Sequence, residues 1–352
     1  MPKLVTSLAA FLVSAAAMTA CSGDTKPADD SSSHLFGATV DGYGQKLSQD
    51  DQDALAVARA LRGVDACGFV DDATLNSTVP DADFYTYSGS PMTCLISRSG
   101  GDSPMGKQIR LDIRTDVEPD WDKHPANWND LQVGNVLVKS NADCNFFFPL
   151  GLGDLEGAPK SSSASAALDR EYVAITAGAQ SDAGCELTKA VATSAAKIKD
   201  TRLPRLDAKN KLGTELFDKD PCSLSPDLKA FNGFIPNIGD GTSCAFRPSS
   251  GDSLTYVVFA LSKRATLNGS WKTEQRDGVT LYIEPGYQEG NYHDCRIAVV
   301  AGQPVSPTII GTASDSPKAK NQDLWPLPVI DVTGQDCEQN KQIAVAAAKK
   351  FA

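Results

Sequence analysis

The sequence predicts an α+β fold built as two tandem homologous modules. Each is a mostly antiparallel sheet with N- and C-terminal helices, stapled by two disulfides. Three observations predict it: the cysteine spacing repeats, segments inside each half alternate as strands do, and an Ala-rich helix follows the last cysteine of each half. Cys67, Cys94, Cys144 and Cys185 are separated by 27, 50 and 41 residues, and Cys222, Cys244, Cys295 and Cys337 by 22, 51 and 42. Their neighbours return with them. Residues 61–67 read LRGVDAC and 216–222 read LFDKDPC; Asp143 precedes Cys144 as Asp294 precedes Cys295; Lys189 and Lys341 each lie four positions past the final cysteine of their half. So long a period means two domains, not a solenoid of short repeats.

The elements follow in order. Residues 1–20 read as a secretory signal: Lys3, an apolar run from Leu4 to Ala17, and small residues before Cys21. The stretch Met18-Thr19-Ala20-Cys21 has the lipoprotein form, so Cys21 is the expected lipidation site. That places the protein on the extracytoplasmic face of the cell membrane, anchored through that lipid. Residues 21–47, rich in Ser, Asp, Gly and Thr, read as a flexible tether. The first module spans 48–201 and the second 202–352, with the passage between them near 200–204. A helix opens at Ser48, with Asp51 as its capping partner and Leu55, Ala56, Ala58 and Leu61 at helical spacing. Residues 108–114 alternate as a half-buried strand, and 255–261, more continuously apolar, read as a central strand. Further strands are expected at 135–139, 172–176, 279–284 and 295–300. The terminal helices carry the stripes Leu187, Ala190, Val191, Ser194, Ala195, Ile198 and Ala344, Ala347, Ala348, Phe351, small enough to lie close on a sheet.

Eight cysteines besides Cys21 in an exported chain imply disulfides. Spacing alone does not settle their pairing. Within a module three patterns are open; first with second and third with fourth is favoured, since it staples each terminal helix to the sheet. No C-x-x-C pair occurs, and none of His34, His124 and His293 has ligand spacing from a cysteine, so no metal or other cofactor is expected. The formal net charge is −11, and −12 once Lys3 is removed. Such acidity argues against nucleic acid and against electrostatic attachment to anionic lipids.

Asp220-Pro221-Cys222, Cys244, Cys295 and Cys337, with Asp65-Ala66-Cys67, Cys94, Cys144 and Cys185, carry a family resemblance. The pattern resembles an actinobacterial lipoprotein family of unknown function with paired-cysteine domains, here in two copies over residues 49–352. It is also distantly similar to the extracellular sensor domain of mycobacterial serine/threonine kinases. The resemblance implies an α+β fold and surface exposure, and no catalytic residues.

One string looks like an enzyme signature. Gly251-Asp252-Ser253-Leu254 matches the block that carries the nucleophilic serine of GDSL esterases. A serine needs a base, and no Asp stands three residues before a histidine. The equivalent Gly101-Asp102-Ser103-Pro104 makes both copies read as tight turns between strands. His293 beside Asp294 reads as a surface loop residue. Trp121, Trp128 and Trp271, with Tyr282, Tyr287 and Tyr292 near the last, lie in long polar segments. They are the candidate binding residues, because exposed aromatics anchor partners; packing at the edge of a small core is the plainer alternative. The sequence therefore points to a binding, sensing or accessory protein that meets an envelope protein or a small envelope ligand. A structural or surface spacer is the alternative, and an esterase using Ser253 stands third.

Overall fold

The computed structural model describes residues 33–36, 40–79, 81–98, 108–115, 128–177, 182–206, 212, 214–237, 241–249, 253–284, 295–310 and 317–352, with the side chains of 33–34, 182–183 and 317–318 outside that description. The fold is α+β with two antiparallel sheets and four disulfides.

A short helix α1 (Ser33–Phe36) precedes α2 (Gln49–Arg62) and α3 (Asp72–Thr78). Ser48 starts α2 by accepting from the Asp51 amide, while Asp50 and Asp51 place negative charge at the positive end of the helix. Then come β1 (Ala82–Ser88), β2 (Ser90–Arg98), β3 (Gln108–Arg114), β4 (Asn129–Val133), β5 (Val136–Ser140), β6 (Phe146–Pro149), α4 (Ser162–Leu168), β7 (Tyr172–Ala177) and α5 (Asp182–Thr201). The second half holds β8 (Phe231–Pro236), β9 (Ser243–Pro248), β10 (Thr255–Lys263), α6 (Arg264–Ser270), β11 (Lys272–Arg276) and β12 (Val279–Ile283). It continues with β13 (Cys295–Val300), β14 (Thr308–Ile309), α7 (Pro317–Lys320), β15 (Pro326–Gly334) and α8 (Cys337–Phe351).

The first sheet runs β14-β1-β2-β3-β7-β6-β5-β4 and the second β8-β9-β10-β15-β13-β12-β11. With β14 set aside, the seven strands of each half stand in the same order, 1-2-3-7-6-5-4. The cysteines occupy matching places. Cys94 and Cys244 lie on the second strands, Cys144 and Cys295 at the entry to the sixth, and Cys185 and Cys337 in the first turn of the closing helix. The bonds join Cys67–Cys94, Cys144–Cys185, Cys222–Cys244 and Cys295–Cys337, with Cα separations of 4.9 to 5.2 Å. This is the favoured pairing: the last bond of each half ties a helix N-terminus to its sheet.

Burial follows the small-residue stripes. On α8, Ala344, Ala347, Ala348 and Phe351 are buried, and Phe351 meets Phe259 edge-on at 5.0 Å. On α5 the buried set is Thr188, Val191, Ala192, Ala195 and Ala196, while Leu187 and Ile198 stay half-exposed. The buried face is rotated from the expected stripe toward Thr188, Ala192 and Ala196, leaving Leu187, Ala190, Ser194 and Ile198 at its margin. β15, the most completely buried strand, was absent from the expectations; its Pro326, Pro328 and Gly334 obscure the strand signal, although it sits mid-sheet between β10 and β13.

The halves are interlocked. One apolar cluster contains Leu61, Phe69 and Phe148 from the first and Phe217, Phe246 and Phe259 from the second. β14 extends the first sheet by pairing with β1. The passage between the halves, residues 202–206, is strapped to α2's end: Asp65 donates to Pro204 O and Leu206 to Gly63 O, at 3.1 and 2.8 Å. Described residues within the expected tether pack onto the body. Leu35 and Phe36 are core residues, Tyr43 lies 5.9 Å from Phe234, and Gln45 donates to Ser225 Oγ at 2.7 Å.

Arg62 fastens α2 to the second half. Its side chain is 4 % exposed, donating to Gly241 O at 2.6 Å and to Asp220 Oδ2 at 3.2 Å. A Cβ on Gly241 would stand 2.5 Å from Ala58 O, so only glycine permits this approach. Arg62→Ala leaves the largely buried Asp220 without its cation and should cost about 3–5 kcal/mol in urea unfolding, as breaking buried pairs does. Arg62→Met, which keeps the packing, should cost less than Ala.

Candidate functional site

The two halves meet at the β1–β2 turn. Gly89, at φ +74°, forms the tip, and its carbonyl accepts from the Leu261 amide of β10 at 2.8 Å. β9 stops pairing with β10 at the Ser243–Val258 step, so the tip occupies the edge of β10 just beyond it. A glycine suits this place because its positive φ is strained for side chains.

On either side of that contact a cavity opens over the outer face of the first sheet, away from its core. One, of 280 Å³, is lined by Phe84, Thr86, Leu95, Leu261, Leu324 and Pro326, among others. The other, of 510 Å³, takes in Thr93, Arg110, Asp112 and Arg114 of the first sheet and Thr242 and Val258 of the second half. Gly89 lines both. Register shows that they adjoin: Thr86 faces Leu95, and Leu95 faces Arg110, across neighbouring strands. Sharing Gly89 and these strands, the two adjoin as one trough, mostly apolar in the smaller cavity, where Lys263 stands among the lining, and charged in the larger.

Period-2 alternation builds the charged end: Arg110, Asp112 and Arg114 share one face of β3. Asp112 is 3 % exposed and fully engaged. It accepts from Arg110 Nε at 2.8 and 2.6 Å and from Thr93 Oγ1 at 2.7 Å, with Arg114 Nη2 at 3.7 Å. The two arginines remain about half exposed.

Of the expected binding residues, Trp121 lies outside the described residues, as do Tyr287 and Tyr292. Trp128 sits on the same outer face, 5.6 Å from Phe147, which is 5.9 Å from Tyr172, the register partner of Arg114. It flanks the trough without lining it. Trp271 is elsewhere, on the outer face of the second sheet. It packs with Leu267, Ala298 and Val329, and Arg296 lies 5.3 Å from its ring. That guanidinium donates to the buried Asp331 at 2.6 Å; burial pushes the Asp331 carboxyl up, against the pull of Arg296. Tyr282 lines a separate cleft of 560 Å³, where β12 separates from β13 beyond the Tyr282–Ala298 pair. The arginine pair was missed in the sequence although the Arg-x-Asp-x-Arg spacing on an alternating strand carried its signal.

Ser253 Oγ donates to Gln335 Oε1 at 2.7 Å. Cys21, His124, His293 and the Gly101–Ser103 and Gly251–Asp252 turns lie outside the described residues. Among the described residues no cluster of three His, Cys, Asp or Glu could hold a metal ion. No described helix is long and apolar enough to cross a membrane. No family model, curated protein or solved structure matches the chain.

A second strongly displaced carboxyl is Glu171, one residue before Tyr172 on β7. Glu171 is 2 % exposed, with neither oxygen hydrogen-bonded among the described residues, and burial pushes it up to about 9. Its folded value exceeds its unfolded one, so the folded state keeps a proton that the unfolded chain releases. Stability should fall as pH rises from about 4.5 to about 9, by up to about 1.4 kcal/mol per pH unit. Urea titrations across this range should show that component of the slope, and Glu171→Gln should remove it.

Proposed function

We propose that this chain is a membrane-anchored extracytoplasmic lipoprotein, held through a lipid on Cys21, that acts as a binding, sensing or accessory protein at the cell envelope without catalysis. The reading includes an ancient duplication. The matching strand orders and cysteine places of the halves support two homologous modules, at about 48–201 and 202–352, related to the actinobacterial paired-cysteine lipoproteins. The observation that carries a binding role is the trough at the Gly89–Leu261 contact, lined by both halves. Pockets of this kind, largely apolar with a few placed polar groups, are where small ligands sit.

The absence of catalysis is part of the proposal. The Ser253 hydroxyl is hydrogen-bonded to a side-chain amide, which does not take up a proton as a general base must. Ser253→Ala should hydrolyse p-nitrophenyl butyrate no differently from the wild type; a loss of turnover in the variant would revive the esterase.

The binding role is tested on the full chain purified from its host membrane. Denaturation followed by mass spectrometry should release a bound small molecule in stoichiometric amount. Ser262 lines the apolar cavity, and Ser262→Trp should fold and melt as the wild type does but carry none. An empty wild type, or equal content in both, would overturn the reading and leave the passive spacer.

A further inference from the structure

We propose that the trough takes an amphipathic anion: one short apolar body in the 280 Å³ cavity, carrying an oxyanion, carboxylate or phosphate, that lies against Arg110 and Arg114. This rests on the reading of the trough as a binding site and adds the chemistry of its occupant.

Charge is the first argument. The chain as a whole is acidic, at −11. Yet among the described residues the charged ones lining the trough are Lys263, Arg110 and Arg114 against Asp112. A local field opposite to that of the whole molecule marks where an anion is drawn in.

Hydrogen-bond capacity is the second. Both guanidiniums converge on one oxygen, Asp112 Oδ2, at 2.6 and 3.7 Å. One carboxylate cannot neutralise two cations. Arg110 uses only its Nε on Asp112, so its two Nη nitrogens have no hydrogen bond among the described residues. Arg114 stands beyond hydrogen-bond distance, with its donors uncommitted among the described residues. Guanidinium forks match oxyanions in a bidentate manner. Asp112, held in turn by Thr93, acts as a positioning residue that fixes Arg110 before any ligand arrives.

Size and polarity are the third. At 280 Å³ the cavity is at the small end of ligand pockets, which run from about 300 Å³ upward, and this suits one short chain or a small ring system. The cavity walls include Phe84, Leu95, Leu261, Leu324 and Pro326, and Leu95 is the register partner of Arg110. An apolar body in the cavity therefore has its charged end beside the arginines.

Titration calorimetry on the full chain tests this with hexanoate, octanoate, decanoate, decyl phosphate and decanol, and with acetate and inorganic phosphate as heads without bodies. Affinity should rise about fourfold per methylene from hexanoate to decanoate. Decanol should bind at least tenfold more weakly than decanoate, and the two heads alone more weakly still. The ratio of decanoate to decyl phosphate affinity tells which oxyanion the pair prefers. Arg114→Gln, half-exposed in the wild type and expected to melt with it, should erase the preference of decanoate over decanol. Equal binding of decanol and decanoate, an undiminished preference in Arg114→Gln, or no binding by any probe would overturn the anion. Ser262→Trp separates this from failure of the binding role: if it still empties the protein of its co-purified molecule, the trough binds something other than an amphipathic anion.

Discussion

Arg62 is the buried charge through which the first half is fixed on the second. Its buried guanidinium spans from α2, in the first half, to Gly241 and Asp220 in the second. Asp220 uses its other oxygen to accept from the Cys222 amide at 2.8 Å, where the short helical turn carrying the Cys222–Cys244 bond begins. One carboxylate thus serves the helix start, the disulfide and the contact between halves. A charge this deep is tolerated because both of its partners are in place. In return it fixes the position of α2 with a direction that apolar packing alone lacks.

The position of the β1–β2 turn follows from that docking. α2 and the strapped passage at 202–206 set the first sheet against the second. The Gly89 tip then meets β10 where β9 has ended. Unpaired strand edges invite other chains, and here the protein covers its own. The cover is partial: a turn is narrower than a strand, so space remains on both sides of it, and that space is the trough. The same contact that closes an edge opens a cavity.

The two outer faces show how a shared framework carries different surfaces. Each sheet buries an aspartate under an arginine there, Asp112 under Arg110 and Asp331 under Arg296. In the second sheet Trp271 lies against the guanidinium, and Glu284 adds a further carboxylate at 3.6 Å. In the first sheet a second arginine, Arg114, stands over the same aspartate, and among the described residues no further carboxylate pairs with it. Identical strand order thus carries one arginine between two carboxylates in one half and two arginines over one carboxylate in the other.

What the sequence determined by itself was whatever depends on local period. The cysteine repeat, the Ser48 cap, the alternation over Gln108–Arg114 and the small faces of α5 and α8 are all written within a few turns or strands. The disulfide pairing was legible because a duplicated pattern reduces the choices and each bond has a nearby purpose. β15 was not legible, since its prolines and glycine speak against a strand until two neighbours hold it. The packing of Leu35, Phe36 and Tyr43 onto the body was hidden for a similar reason: their polar surroundings read as tether. Tertiary structure alone decided the trough. Its walls, Leu95 and Arg110 on one side and Leu261 and Val258 on the other, stand more than a hundred residues apart in the chain. They come together only through the docking of one half on the other, which leaves no periodic trace in the sequence.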